Sequence, residues 1–375
     1  MPCSSDRIAA TLVLGITLVA SRTGTCAQEQ LAALFERALQ EQGQSYLEAR
    51  QGILDRGEQA VEFLREKAGA AARAGDWTVW GIAESLIGRL TQAAQWKQFE
   101  AAIPRWFSSV NPLTGLYEAH APFRGLQDPA AIPLLIETVA RSGEPPSNPI
   151  PRGVAALALG DLGDSRAVQP LLDVLHAVKA GTDIHTGSPL CFCVVKALGR
   201  IRDPRVIQPL IDDVRDGLAN MKARNRGQKP HRDSGASESI LGLGRAKAKQ
   251  AVPVLGEALR SSLREYASLA LVAVGGEQAE KVAAAALTDG DPPVRFDAIR
   301  TLSRLATLEQ VALEPKRIPP ERIPTTPRQL TEATMAALAH MAEDPDEDKR
   351  VRLEAGAVVR RVERFWGARA RERDR

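Results

Sequence analysis

The sequence predicts an all-α protein: an α-solenoid of stacked antiparallel helix pairs behind an atypical helical N-terminal cap. Two observations carry this, and composition agrees. The stretch Val154–Leu175 returns 39 residues later, where Val194–Asp213 repeats its order of apolar, Gly, Asp and Pro positions. Within it Ala155, Ala158, Leu159 and Leu162 align with Val194, Ala197, Leu198 and Ile201, an i, i+3, i+4, i+7 spacing that forms one apolar face of a helix. After a short turn, Val168, Leu171, Leu172 and Leu175 align with Ile207, Leu210, Ile211 and Val214 on a second helix. Neither helix can bury its stripe alone, so each pair needs the next one against it. Hydrophobic residues make up 44% of the chain but aromatics only 4%, which suits helix pairs packed through Ala, Leu and Val.

Residues 1–27 have the pattern of a signal peptide. Arg7 supplies the positive start, Ile8–Ala20 is an uncharged run, and Thr25-Cys-Ala27 offers small residues at a cleavage site. The run is too short to cross a bilayer as a helix. Thr23-Gly-Thr lacks the aliphatic residue that a lipoprotein site carries before its cysteine. The expectation is an exported protein, periplasmic or extracellular after cleavage, with no transmembrane helix in the mature chain. Cleavage leaves Cys191 and Cys193. Two residues apart on a predicted helix, they point to different faces and are poorly placed for a disulfide.

Residues 28–117 form the predicted N-terminal helical cap region. Leu31, Leu34, Phe35 and Ala38 make one stripe, and Ala60, Val61, Leu64 and Ala68 another. Trp80, Ala83, Glu84 and Ile87 fit a stripe less well. Gly43, Gly57, Gly75-Asp76 and Pro104 punctuate these helices. Trp77, Trp80, Trp96 and Trp106 could form a binding platform, but bulky side chains in a terminal cap are expected to fill its core.

The regular repeats occupy residues 118–308. Asp128, Asp164 and Asp203 recur at the turn between the two helices, where a carboxylate can cap free N–H groups. Pro133, Pro170, Pro209 and Pro253 recur in the first turn of the second helix, where proline costs least. Gly160, Gly199, Gly244 and Gly275 recur late in the first helix, a pattern expected for close helix approach. These Ala-Leu-Gly, Gly-Asp and Ala-Val-x-Pro-Leu-Leu elements resemble the HEAT family, in particular the short HEAT-like repeats of phycobilisome lyases. The resemblance implies a HEAT-like superhelix and a surface for binding proteins. It rests on scaffold residues, so it carries no lyase activity over. The fourth unit departs from the pattern, with Lys247 and Lys249 near the expected Asp, and its turn is expected to be built differently.

Three connectors, Arg141–Arg152, His176–Pro189 and the basic Asn220–Gly235, join one pair to the next and should emerge on one edge. Residues 309–328 form a proline-rich insertion expected to be extended and partly polyproline-like, serving to wrap the array, link its parts or offer a docking peptide. Residues 329–375 form C-terminal helices and a basic tail. From Lys349 onward there are ten basic and four acidic residues, a net of +6.

The charge balance of 49 basic against 46 acidic residues, +3 in all, does not call for a nucleic-acid partner. No nucleophile elbow, phosphate loop, dinucleotide fingerprint or His-Glu-x-x-His occurs. No His is followed by Glu, which departs from HEAT-like iron hydroxylases. Cys191 and Cys193 with His176 or His185 lack zinc spacing. Asp344-Pro-Asp-Glu-Asp348 lacks the Gly and Glu of a calcium loop and reads as an acidic inter-helix turn. No catalytic, cofactor-binding or metal-ligating residue is therefore assigned, and no cofactor or small-molecule substrate is expected. The chain reads as a protein-interaction scaffold rather than an enzyme. Its candidate partner-binding residues are Asp173, His176, Asp212 and Arg215, on second helices that also carry Asp213 and Glu257 and so form a mixed to acidic face. The alternatives are an anionic surface or polymer held by the tail and by Lys222, Arg224, Arg226, Lys229 and Arg232, or a HEAT-like lyase or other enzyme.

Overall fold

The recurring Asp and Pro of the sequence create a short motif that organises the chain. A single 3-10 turn runs straight into the second helix in four of the units: Pro129–Ala131, Ser165–Ala167, Pro204–Val206 and Lys249–Ala251. Asp128, Asp164 and Asp203 accept from the N–H of Ala130, Arg166 and Arg205, each two residues on, at 2.8–2.9 Å. The caps thus close the 3-10 turn rather than the α-helix beyond it. Gly163, Arg202 and Lys247 precede the turn in left-handed conformation, with φ of 67°, 60° and 50°. The fourth turn has the same backbone as the others, contrary to expectation. Its cap position is Ala248, whose side chain accepts nothing.

The computed structural model describes residues 28–103, 128–141, 150–180, 188–225, 235–307, 311–312, 322–323 and 327–373. The predicted signal segment, Trp106, the first helix expected from residue 118, and Arg226, Lys229 and Arg232 of the basic loop lie outside them. The fold is all-α, with packed helix pairs. It divides into two compact units, Met1–Leu162 and Gly163–Arg375.

In the first unit, a helix over residues 28–40 (α1) is followed by α2 (Gly43–Leu54), α3 (Glu58–Ala74), α4 (Trp77–Thr91) and α5 (Ala93–Ala102). Then come α6 (Ile132–Ala140) and α7 (Ile150–Leu162). Phe35 meets Phe63 edge-on at 5.8 Å within a core that includes Leu31, Tyr46, Ile53, Leu64 and Leu86. Helix α4 packs on α3 and also on α6. Contact on two sides explains why it showed no clean single stripe. Ile136 of α6 lies where any side chain on Gly81 would have to go. Trp96 is buried and donates to Ser85 at 3.2 Å, while Trp77 and Trp80 are half-buried and packed edge-to-face.

The second unit begins with α8 (Val168–Ala180), α9 (Ser188–Ile201), α10 (Ile207–Asn225), α11 (Ala236–Arg245) and α12 (Val252–Leu259). It continues with α13 (Arg264–Val274), α14 (Gly276–Ala285), α15 (Pro292–Ala306), α16 (Glu332–Glu343) and α17 (Lys349–Arg373). The first helices α9, α11, α13, α15 and α17 pack one on the next. Gly199 and Gly242 permit this, since a Cβ on Gly199 would lie 2.6 Å from the Gly242 Cα. Gly275 differs: it ends α13 with φ 66° and has no close neighbour, so its role is the turn. The connectors are shorter than the sequence suggested, because α8 runs through His176 to Ala180, α9 starts at Ser188, and α10 continues to Asn225.

The proline-rich insertion separates the two helices of a pair, α15 and α16. Its ends are drawn together by a two-residue antiparallel ladder, Val311 opposite Ile323 and Ala312 opposite Arg322. The Arg328 N–H donates to Leu305 O at 3.0 Å, and most of the rest of the insertion lies outside the described residues.

Candidate partner-docking face

The apolar stripe of each second helix faces inward, so the residues between stripe positions point out. Asp173 and His176 on α8 and Asp212 and Arg215 on α10 are all exposed. They hold equivalent repeat positions, 39 residues apart. Each carboxylate is steadied in the same way: Gln169 donates to Asp173 at 2.8 Å and Gln208 to Asp212 at 2.8 Å. Arg215 adds an ion pair to Asp212 at 3.0 Å. On α12 the face continues with exposed Glu257.

Asp213 does not belong to this face. It is fully buried, and its carboxylate accepts from Ser239 at 2.7 Å and pairs with Lys179 at 3.0 Å. Lys179 also reaches Asp216 at 2.9 Å. Burial would lower the Lys179 pKa, but Asp213 and Asp216 outweigh it and hold the ammonium above its ordinary range. This tie fastens α8 to α10 beneath the candidate face. At the turns, Arg205 donates to Ser165 O at 2.9 Å, joining the same two repeats.

Sequence reasoning missed the buried carboxylates. Asp213 falls where α8 has the apolar Val174, and a charge at that position was the signal available. Glu137 stands nine residues after the turn residue Asp128, as the exposed Asp173 and Asp212 do after Asp164 and Asp203, so its repeat position gave no sign of burial. Glu137, 2% exposed, receives hydrogen bonds from Tyr46 and Ser85, and one from Arg89 at 2.7 Å. Arg50 approaches at 3.7 Å, and Arg89 also pairs with Glu100 at 2.9 Å. Burial alone would push the Glu137 carboxyl up, but the two guanidinium groups and two hydroxyl donors bring it below its ordinary value. The same burial, with Glu137 alongside, pushes Tyr46 well above the ordinary phenol range. The Arg50 Nε is buried without a hydrogen-bond partner, and the remaining contacts lock α2, α4, α5 and α6 together.

Cys191 and Cys193 are buried free thiols, pushed up by desolvation to about 11 and about 12. They remain protonated at neutral pH and are not thiolate nucleophiles. In the acidic turn, Asp348 accepts from the N–H of Arg350 and Val351 at 2.9 and 3.2 Å, capping α17, and Glu347 pairs with Arg295. Among the described residues, no three or more His, Cys, Asp or Glu side chains are grouped to hold a metal ion. Of the basic loop, Lys222 is exposed on α10 and Arg224 lies in the same helix.

Comparison with known proteins adds three findings. A search among curated proteins returns no match. Among solved structures, human deoxyhypusine hydroxylase in complex with glycerol aligns with 74% of this chain and 100% of its own, at 20% identity and a TM-score of 0.26. A superposition that loose transfers neither geometry nor activity. Residues 151–176 and 194–212 match the family model of the PBS lyase HEAT-like repeat. Those two segments, which span two of the capped 3-10 turns, are similar to HEAT-like repeats and lie within an all-α fold of packed helix pairs.

Proposed function

We propose that this protein is an exported HEAT-repeat scaffold that holds a partner protein on the outward face of its second helices. The observation that carries the reading is the recurrence of Asp173 and His176 as Asp212 and Arg215, exposed in the same register beside a tie from Lys179 to the buried Asp213 and Ser239. A surface that repeats with the array and is held rigid from beneath is suited to an extended partner, because little side-chain order is lost on binding. Stacked helix pairs also present a ridge rather than an enclosed pocket, which favours a protein over a small substrate. The signal-like segment of residues 1–27 supports export. Among the described residues no helix is long and apolar enough to cross a membrane.

The test is affinity capture from an envelope fraction, comparing wild type with two variants by mass spectrometry. Asp173→Lys with Asp212→Lys should abolish recovery of the partner, since mispaired charges inside an interface cost more than rim charges gain. Reversal of Lys222, Arg224 and Arg226 to Glu should leave recovery nearly intact. Loss of the partner with the loop variant alone would overturn the reading.

A further inference from the structure

Helix α17 is the last helix of the second unit, and among the described residues only one of its faces is covered. Val351, Ala355, Val358 and Val362 are buried against α15 and α16. With about 100° between successive residues, Lys349, Arg350, Leu353, Arg360, Arg361 and Arg364 fall on the opposite side, within an arc of about 120°. All six are exposed. No carboxylate interrupts this arc: Glu354 and Glu363 fall just outside its two margins. Among the described residues, none of the five cations forms an ion pair. Arg350 lies over the Phe296 ring at 5.2 Å, and Arg361, at one edge, donates to Ser303 at 2.9 Å. Leu353, 62% exposed, stands inside the stripe and is the exposed large hydrophobic residue among those described.

We propose that this stripe seats the end of the protein on an anionic lipid surface. The charges select the sign of the partner, because five unpaired cations in one line raise the local concentration of anions. Leu353 selects the kind. An exposed leucine among arginines gains nothing from a polyphosphate chain, whereas at a bilayer it enters the headgroup–acyl boundary while the cations meet the headgroups. A straight stripe some 24 Å long also matches a flat surface. The second-helix residues proposed to hold a partner are on other helices, so the two contacts are separate.

The experiment is co-sedimentation of the full chain with vesicles of phosphatidylcholine alone or with about one-third phosphatidylglycerol. Wild type should pellet with the anionic vesicles only, and raising salt to about 0.5 M should release it as the charges are screened. Lys349→Glu, Arg360→Glu and Arg364→Glu together should lower the partition coefficient by at least about a hundredfold. Leu353→Ser should lower it by roughly tenfold. Both variants alter exposed side chains, so both should melt with wild type. A parallel arm uses duplex DNA. Wild type that ignores anionic vesicles, or pellets equally with neutral ones, overturns the proposal. So does a Leu353→Ser protein that binds vesicles like wild type, and if the charge variant also loses DNA, the stripe is then a general polyanion site.

Discussion

At Glu137, a carboxylate 2% exposed is surrounded by Arg89, Arg50, Ser85 and Tyr46, and its pKa lies below its ordinary value of 4.5. A folded pKa below the unfolded one means its stabilising contribution is complete above about pH 4.5 and disappears as pH falls through the folded value. Glu137→Ala leaves Arg89 buried beside no compensating carboxylate at that point, at a cost of about 3–5 kcal/mol at neutral pH. Thermal unfolding from about pH 7 to pH 3 should show this gap narrowing as the wild-type carboxyl protonates. A gap independent of pH would mean that the Glu137 charge does not hold the cluster. Its burial was not readable, because Glu137 holds the repeat register of the exposed Asp173 and Asp212. Nor were its partners, because Tyr46 is 91 residues away and Ser85 52.

Among the elements, the inter-helix turn shows how a backbone motif persists when one of its side chains is lost. The fourth turn keeps the 3-10 geometry with Ala248 at the cap position and Lys247 at φ 50° before it. Ala248→Asp restores the missing acceptor and should stabilise the protein by about 1 kcal/mol, read as a higher midpoint in urea with an unchanged slope. No gain would mean that the carboxylates of Asp164 and Asp203 matter through their arginine partners rather than the cap. The stacking of first helices is tested at Gly199. Its Cβ would meet the Gly242 backbone at 2.6 Å, which no rotamer change can relieve. Gly199→Ala should therefore cost about 1–3 kcal/mol. Leu198→Asp, at a fully buried neighbour, should cost several kcal/mol, whereas Lys222→Asp on the exposed side of α10 should cost under about 0.5 kcal/mol. Equal melting of the last two variants would contradict the register of the pair.

For the whole molecule, the proposed functions place distinct demands on one chain: an N-terminal address, a repeating face for a protein and a basic stripe on the last helix. The address gives a direct expectation. Protein isolated from the envelope should begin near Gln28, because Ala27 closes the small-residue site. N-terminal sequencing that recovers intact Met1 there would exclude a cleaved signal. The two interaction surfaces should also respond differently to salt. The lipid contact rests on five unpaired cations and weakens steeply, while a partner on the Asp173 and Asp212 face meets carboxylates already hydrogen-bonded by Gln169 and Gln208.

Local chemistry in the sequence determined that the chain repeats, that its units are helix pairs and that Asp and Pro mark their turns. Helical periodicity, a capping carboxylate and a proline without an N–H act over only a few residues and can be read from them directly. The exposure of Asp173, His176, Asp212 and Arg215 followed from the same periodicity. Tertiary structure alone decided which of Asp212 and Asp213 faces out, since Asp213 finds its partners on α8 and α11. It also decided that α4 packs against α6, that residues 311–312 pair with 322–323, and that Lys349, Arg360 and Arg364 of α17 are exposed. Each of these depends on contacts between residues distant in the chain, and such partners are chosen by how whole helices stack rather than by any short stretch of residues.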